Sequence, residues 1–167
     1  MLRDLIHAVK YDERRTLAAA LAPLLIRNAS DLIAAGALLA PVPLHPWRQW
    51  SRGFNQADDI ARAIARHVHG VSVVHPLRRA RPTRPQSDLD AEARRRNVRG
   101  AFALAGWTPW SRRRRAGRLA DRAVVLVDDV MTTGATLEAC AQVLLEAGAR
   151  EVSAVTLARV VSPQRRT

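Results

Sequence analysis

The sequence predicts an α/β fold with a mainly parallel, twisted sheet flanked by helices. Short apolar runs of strand length alternate with longer segments of helical period along most of the chain. Near the carboxyl end a strand, a helix and a second strand follow one another, an order that is typical of a crossover between parallel strands. With 167 residues, 48% of them hydrophobic, the chain is long enough for one domain over residues 1–167 with a core of its own.

The first half of the chain is predicted from apolar period and from residues that stop helices. An amphipathic helix is expected over 2–11, and an Ala- and Leu-rich helical part over 14–35 should break near Pro23 or Asn28. A buried strand over 38–44 ends at prolines, and a helix over 55–69 ends at Gly70. A β-branched strand over 71–74 follows. Residues 1–35 are thus expected to form a helical amino-terminal part.

The second half contains two basic segments. Residues 76–100 are rich in arginine, carry Pro82 and Pro85 and show little hydrophobic period, so we expect a flexible loop with a short helix near 88–96. After a strand over 101–104, residues 105–118 are predicted to be a second basic insertion. A strand over 123–127, a loop, a helix over 135–147 ended by Gly148 and a strand over 152–157 complete the domain.

Charge and cysteine content limit the classes of partner and compartment. The net charge is +12 and the pI about 11.7, and Lys10 is the only lysine, so arginines suited to phosphate groups supply nearly all of the positive charge. We therefore expect polyanionic partners such as nucleic acid, nucleotides or pyrophosphate. Cys140 is the only cysteine, which excludes an intramolecular disulfide and favours a reducing, cytoplasmic compartment. The longest uncharged apolar run, 32–44, is too short to span a bilayer.

One segment combines residues suited to a sugar phosphate. The apolar strand over 124–127 is followed by Asp128 and Asp129, then by a small hydroxylated turn over 132–136, after which a helix begins. Backbone N–H groups, threonine hydroxyls and a helix N-terminus would bind phosphate, and Gly134 would allow a conformation and a close approach that a Cβ would block. The carboxylates would repel phosphate, so their expected partners are sugar hydroxyls or a hard cation.

This segment closely resembles the ribose-phosphate signature of type I phosphoribosyltransferases. The resemblance implies a fold of that type, with a flexible basic loop and with residues 1–35 as a small hood. The resemblance implies that Asp128 and Asp129 are catalytic residues that hold the two ribose hydroxyls of phosphoribosyl pyrophosphate (PRPP). Their contact with Mg²⁺ would be indirect, through those hydroxyls or water. The implied 5′-phosphate cradle consists of Met131, Thr132, Thr133, Gly134, Ala135 and Thr136. The alternative is an ordinary strand that ends in an acidic turn.

Two further patterns make the chain similar to the ComF family, the amidophosphoribosyltransferase-like proteins linked to DNA uptake in competent bacteria. The first is Pro43-Leu44-His45-x-x-Arg48-x-x-x-Arg52-Gly53-Phe54-Asn55-Gln56, and the second is Arg81-x-Thr83-x-x-Gln86-x-x-Leu89, followed by Arg94 and Asn97. These matches cover nearly the whole chain. The family usually carries an amino-terminal zinc-binding segment that this sequence does not contain, so we expect either a short member or a protein that begins further upstream.

The resemblance assigns these patterns to two loops around the site. The implied pyrophosphate loop consists of Pro43, Leu44, His45, Arg48 and Arg52, in which the arginines would neutralise the leaving group unless they are a solvated pair. Asn55 suits the N-cap of the next helix. The implied flexible loop, which would close over the site, contains Arg81, Thr83, Gln86, Arg94 and Asn97. Arg94 would be a catalytic residue that meets charge developing on pyrophosphate, and the alternative is a solvated basic loop.

The expected function is transfer of phosphoribose from PRPP, with Mg²⁺ as cofactor, to an acceptor that the sequence does not identify. A second hypothesis is a non-catalytic module that senses PRPP or binds single-stranded DNA beside DNA-uptake proteins, and a third is a fold that has lost both activities. Arg112–Arg115 and the flanking Trp107 and Trp110 combine charge with stacking surface, although a solvated or disordered loop is the favoured interpretation. Cys140 is expected to be a small core residue, and an oligomer is compatible with the sequence.

Overall fold

The computed structural model describes residues 14–44, 55–81, 91–106 and 108–160. The predicted helix over 2–11 lies outside these ranges. The described elements, in chain order, are α1 (Arg14–Asn28), β1 (Leu38–Pro41), α2 (Gln56–His67), β2 (Ser72–Val73), β3 (Leu77–Arg79), α3 (Ala91–Val98), β4 (Phe102–Leu104), α4 (Pro109–Leu119), β5 (Ala123–Met131), α5 (Ala135–Glu146) and β6 (Glu151–Arg159). None of these described helices is long and apolar enough to cross a membrane.

Four strands form the main sheet, in the order β2-β1-β5-β6. Every neighbouring pair is parallel, with Leu39 opposite Val125 and Val127 opposite Val155. Parallel strands require connections long enough to return the chain to the same edge, and α2 and α5 lie in two of these connections. The predicted α/β fold with a mainly parallel sheet is confirmed.

Helices cover both faces of this sheet, which explains why the central strands are apolar without alternation. On one face, Leu126 of β5 packs in a buried cluster with Cys140 and Leu144 of α5. On the other face, Val125 packs in a second cluster with Ile64 of α2 and with small residues of α1. Cys140 has no exposed surface, so the prediction that it is a core residue is confirmed.

A second, two-stranded sheet lies within and after the segment predicted to be a loop. β3 and β4 pair antiparallel, with Leu77 opposite Leu104 and Arg79 opposite Phe102. The prediction of irregular chain from residue 76 was therefore wrong at β3, and α3 covers 91–98 where a helix near 88–96 was expected. Leu77 and Phe102 are buried in the core cluster that also contains residues of α5. Their strand conformation therefore depends on partners that are distant in sequence.

Three other predictions differ from the structure at particular residues. Of the two expected breaks in the amino-terminal helical part, the one at Pro23 is absent, because α1 continues through this residue, and the one at Asn28 is confirmed as the end of the helix. β5 continues through Met131, where a loop was predicted, because β6 pairs with it as far as Arg159. Residues 109–119 form a helix where a solvated or disordered loop was favoured.

Candidate functional site

The carboxyl edge of the main sheet brings together the ends of β1 and β5. Pro41 lies opposite Val127 in the parallel register, and the Val42 N–H donates to the Val127 carbonyl at 2.9 Å. The chain that leaves β1 through Pro43 and Leu44 therefore starts beside the acidic pair of β5. The beginning of the predicted pyrophosphate loop and the predicted ribose-phosphate segment thus meet at the edge where parallel sheets bind ligands.

Asp128 and Asp129 are half-buried and belong to the last part of β5. The Asp129 N–H donates to Oδ1 of Asp128 at 2.9 Å, and the Val130 N–H donates to Oδ1 of Asp129 at 2.7 Å. Burial, and next the negative charge of Asp129, raise the pKa of Asp128 to about 7, while the charge of Arg79 acts in the opposite direction. A carboxyl whose ionised form is destabilised in the free protein suits a site where ligand hydroxyls or a cation supply the missing stabilisation.

The turn between β5 and α5 presents the predicted phosphate-binding residues. Gly134 has a φ of +79° and occupies the N-cap of α5, where no side-chain oxygen caps the helix. The Thr133 hydroxyl lies 3.5 Å from the Ala135 N–H, at the limit of a hydrogen bond. A Cβ at Gly134 would lie 3.9 Å from its nearest neighbours, which is an ordinary contact distance. Glycine is therefore favoured there by the left-handed backbone and not by a close approach of protein atoms. Thr132 is exposed, and Thr136 is half-buried in the first turn of α5.

Asn55 closes the base of the segment over 43–54. Its Nδ2 donates to the Val42 carbonyl at 3.0 Å, and its Oδ1 accepts a hydrogen bond from the Ala57 N–H at 3.2 Å. One side chain therefore holds the strand end where the segment leaves the sheet and caps the helix where it returns, which confirms the predicted N-cap. Three predicted pyrophosphate-loop residues lie outside the described ranges: His45, Arg48 and Arg52.

Arg79 of β3 lies at the same edge and was missed in the sequence. Its Nε–H donates to the Pro43 carbonyl at 3.2 Å, and its guanidinium carbon lies 4.8 Å from the centroid of the Phe102 ring. Its charge is close enough to Asp128 to favour the ionised carboxylate. Leu77 is buried, Arg78 exposed and Arg79 half-buried, as expected of a strand. In the sequence, however, three residues are too few to identify a strand unless its partner β4 is known.

The predicted flexible-loop residues are described only in part. Thr83 and Gln86 lie outside the described ranges, and Arg94 belongs to α3, although its side chain lies outside the described part. Arg81 donates from Nη2 to the carbonyls of Asn97 at 3.0 Å and of Arg99 at 2.6 Å. These bonds tie the two ends of the excursion over 82–96 together, so the observed contacts of Arg81 fix the base of this segment.

The buried thiol beneath the acidic pair is not a nucleophile. Burial, followed by the charge of Asp128, raises the pKa of Cys140. Among the residues that the structure describes, no three His, Cys, Asp or Glu side chains come together as a metal site. A cation beside Asp128 and Asp129 would therefore need most of its oxygen ligands from a bound molecule and water.

The second basic segment forms α4. Thr108 and Ser111 make a capping box, and Leu119 is buried in the core at the other end. Trp110 is 77% exposed, so a large aromatic surface stands in solvent beside the exposed arginines of this helix. Arg115 differs from these arginines because it donates to the His75 carbonyl at 3.1 Å. Trp107 lies outside the described residues.

The chain is similar in sequence to known proteins over most of its length. Residues 50–166 match the family described as phosphoribosyl transferase domain. The chain is 36% identical over 162 residues to DNA utilization protein YhgH of Escherichia coli O157:H7, which covers 94% of this chain and 66% of that protein. It is 36% identical over 121 residues to Competence protein F of Haemophilus influenzae, which covers 72% of this chain and 49% of that protein. The chain thus spans about two thirds of the first relative and half of the second.

The fold is similar to the solved structure of the allosteric regulatory enzyme of purine biosynthesis. The TM-score is 0.52 and the identity 19%, over 86% of this chain and 26% of that one. At this identity the likeness concerns the fold alone. Together with the family match, it confirms the predicted type I phosphoribosyltransferase fold.

Proposed function

Because the chain belongs to the phosphoribosyltransferase-like ComF family, we propose that it binds PRPP together with Mg²⁺ and transfers the phosphoribosyl group to an acceptor. The observation that carries this proposal is the meeting of three features at one sheet edge. They are the pair Asp128 and Asp129, the Gly134 turn into α5, and the start of the segment over 43–54. A single ligand with ribose hydroxyls, a phosphate and a pyrophosphate would use all three.

The ribose and 5′-phosphate ends of PRPP would be bound by β5 and α5. The carboxylates of Asp128 and Asp129 accept hydrogen bonds from the two ribose hydroxyls, which favours their ionised forms. Backbone N–H groups at the start of α5 and the threonine hydroxyls of the turn donate to the 5′-phosphate. The helix dipole favours the negative charge at this end of α5.

The residues at this edge fit a Mg²⁺ ion that is bound chiefly through the ligand. The six oxygens that the ion requires would come from PRPP and water. Asp128 and Asp129 would hold the ion indirectly, through ribose hydroxyls or water. When bound, Mg²⁺ would neutralise charge on the pyrophosphate.

In the transfer step, the acceptor forms a bond to the anomeric carbon as the bond to pyrophosphate breaks. The acidic pair stabilises positive charge on the sugar. Arg48 and Arg52, together with Arg94, balance the leaving pyrophosphate, while closure of the segment that contains Thr83 and Gln86 excludes water. The roles of these five residues follow from the family resemblance.

Calorimetric titration of PRPP into the purified protein, with Mg²⁺ and with EDTA, tests the proposal. We expect saturable binding that needs Mg²⁺ and is lost in the double variant Asp128→Asn/Asp129→Asn. The matched control is Asp31→Asn/Asp121→Asn, which removes the same charge from exposed positions and should bind as the unmodified protein does. Absence of PRPP binding by the folded, unmodified protein would contradict the proposal. Binding would justify a screen for the acceptor.

A second candidate function, binding of single-stranded DNA, is favoured by the exposed surface of α4. Trp110 offers a face on which a base can stack, and Arg112, Arg113 and Arg114 are exposed beside it. We expect binding of an oligothymidylate to weaken steeply as salt rises, and the triple variant R112Q/R113Q/R114Q to show a smaller salt slope. The matched control is R27Q/R66Q/R150Q, which removes three exposed charges elsewhere. Equal binding by both triple variants would rule out a role for α4.

A further inference from the structure

Two side chains hold consecutive carbonyls at the point where the chain leaves β1. Asn55 Nδ2 donates to the carbonyl of Val42 at 3.0 Å, and Arg79 Nε–H donates to the carbonyl of Pro43 at 3.2 Å. The Val42 N–H is itself bonded to Val127 of β5 at 2.9 Å. The backbone at Val42 and Pro43 is therefore held from three directions: by the sheet, by Asn55 at the start of α2 and by β3.

The orientation of Arg79 is set by the small sheet. Arg79 lies opposite Phe102 in the antiparallel register, and its guanidinium carbon stands 4.8 Å above the Phe102 ring. Phe102 is 5% exposed, so the surface on which the guanidinium rests belongs to the core. A planar guanidinium over an aromatic ring has one preferred plane, which aims its N–H groups at fixed partners.

Arg79 also faces the ribose side of the site. Its positive charge acts on Asp128 and also on the buried thiol of Cys140. Arg79 thus bonds to the backbone carbonyl of Pro43 and also lies close enough to Asp128 for its charge to act on that carboxyl. The neighbouring Arg78 is exposed and has no such position.

We propose that Arg79 is a positioning residue that fixes the backbone at Pro43 and Leu44, where the chain leaves β1, so that this backbone meets the pyrophosphate of a ligand whose ribose is held by β5. This inference rests on the proposed binding of PRPP. Arg79 acts through its hydrogen bond to the Pro43 carbonyl. Its loss should therefore weaken the pyrophosphate contacts more than the ribose and 5′-phosphate contacts.

The experiment compares two ligands that differ in the pyrophosphate. PRPP titrations with Mg²⁺ are made on the unmodified full chain and on R79Q, R79K and R78Q, and ribose 5-phosphate is measured on each by competition with PRPP. For R79Q we expect an approximately 10- to 100-fold loss of PRPP affinity, the range seen when supports of binding groups are removed. The affinity for ribose 5-phosphate should change less than about threefold. R79K keeps the charge without the planar fork and should fall between R79Q and the unmodified protein.

The matched control, R78Q, removes an equal charge one residue away and should leave both affinities unchanged. The inference is overturned if R79Q binds PRPP as the unmodified protein does. It is also overturned if R79Q loses affinity for both ligands equally, because that result would indicate a general effect on folding. R79K indistinguishable from the unmodified protein would contradict the role of the planar group. If the unmodified protein binds neither ligand, the proposed function itself fails, a result separate from any of these.

Discussion

Replacing Asp128 with asparagine should stabilise the ligand-free protein at alkaline pH while it removes PRPP binding. Burial and the charge of Asp129 raise the pKa of Asp128 from 3.8 to about 7 in the folded chain. The folded protein therefore holds this proton more tightly than the unfolded chain does. The contribution of Asp128 to stability is greatest below pH 3.8, declines as pH rises between 3.8 and 7, and is lost above pH 7.

The size of the effect follows from the same two values. The interval between 3.8 and about 7 corresponds to an upper limit of about 4 kcal/mol at pH 8. Partial exposure of Asp128 reduces this figure through solvent screening, so we expect asparagine to raise the free energy of unfolding by about 2 kcal/mol. The asparagine Oδ1 can still accept the Asp129 N–H. For a chain of this length such a gain raises the melting temperature by about 4–8 °C.

Thermal unfolding of both proteins in EDTA, at pH 8 and at pH 5, measures this effect. The gain at pH 5 should be less than half of the gain at pH 8, because folded Asp128 is then protonated. Asp31→Asn, at an exposed position, should change stability by less than about 0.5 kcal/mol at either pH. An Asp128→Asn protein that is no more stable than the unmodified one at pH 8, or that gains equally at both pH values, would refute the reasoning.

Three further predictions concern the supports of the site. Cys140 should resist a maleimide reagent in the folded protein at pH 8 and react at once in urea, because it is fully buried with a raised pKa; rapid labelling without urea would contradict its placement. Asn55→Ala should lower the free energy of unfolding in urea by about 2 kcal/mol through loss of the N-cap and of the Val42 contact, whereas Asn55→Asp keeps the cap and should cost less. Gly134→Ala should cost about 1 kcal/mol because of the left-handed backbone, and an unchanged urea midpoint would show that the turn adapts.

The parts of the fold that were predicted correctly depend on local patterns. α2 shows a regular apolar period with Asn55 before it, and the central strands are apolar runs bounded by glycine, proline or charge. β3 could not be predicted, because its three residues acquire strand conformation only by pairing with β4, which lies beyond α3 in the chain. The end of β5 was placed too early for the same reason: β6 continues to pair beside the acidic residues.

α4 was missed for a different reason, since its sequence contains the signals of a helix start. Thr108, Pro109 and Ser111 form an N-cap, a first-turn proline and the reciprocal cap, but the arginine run that follows favoured a solvated loop. The helix is held at its far end by the burial of Leu119. One buried apolar residue at the end of a basic segment does not produce a helical period of apolar residues. The hydrophobic pattern therefore did not indicate a helix, and the arginine run favoured a loop.

The two sides of the proposed PRPP site differ in how they are encoded, and this difference explains why Arg79 was missed although the pyrophosphate loop was assigned from the family resemblance. The ribose side is contiguous: the acidic pair, the glycine turn and the helix start fall within nine residues, from Asp128 to Thr136, so one motif carries them. The pyrophosphate side is assembled from the end of β1, the cap of α2 and a strand of the small sheet. Arg79 lies 36 positions from the carbonyl that it holds, and no local pattern joins them. Since the segment from Pro43 is positioned by contacts from separate elements, its geometry should be the more sensitive of the two to substitutions outside the motif. Comparison of PRPP with ribose 5-phosphate in the Arg79 variants measures that asymmetry directly.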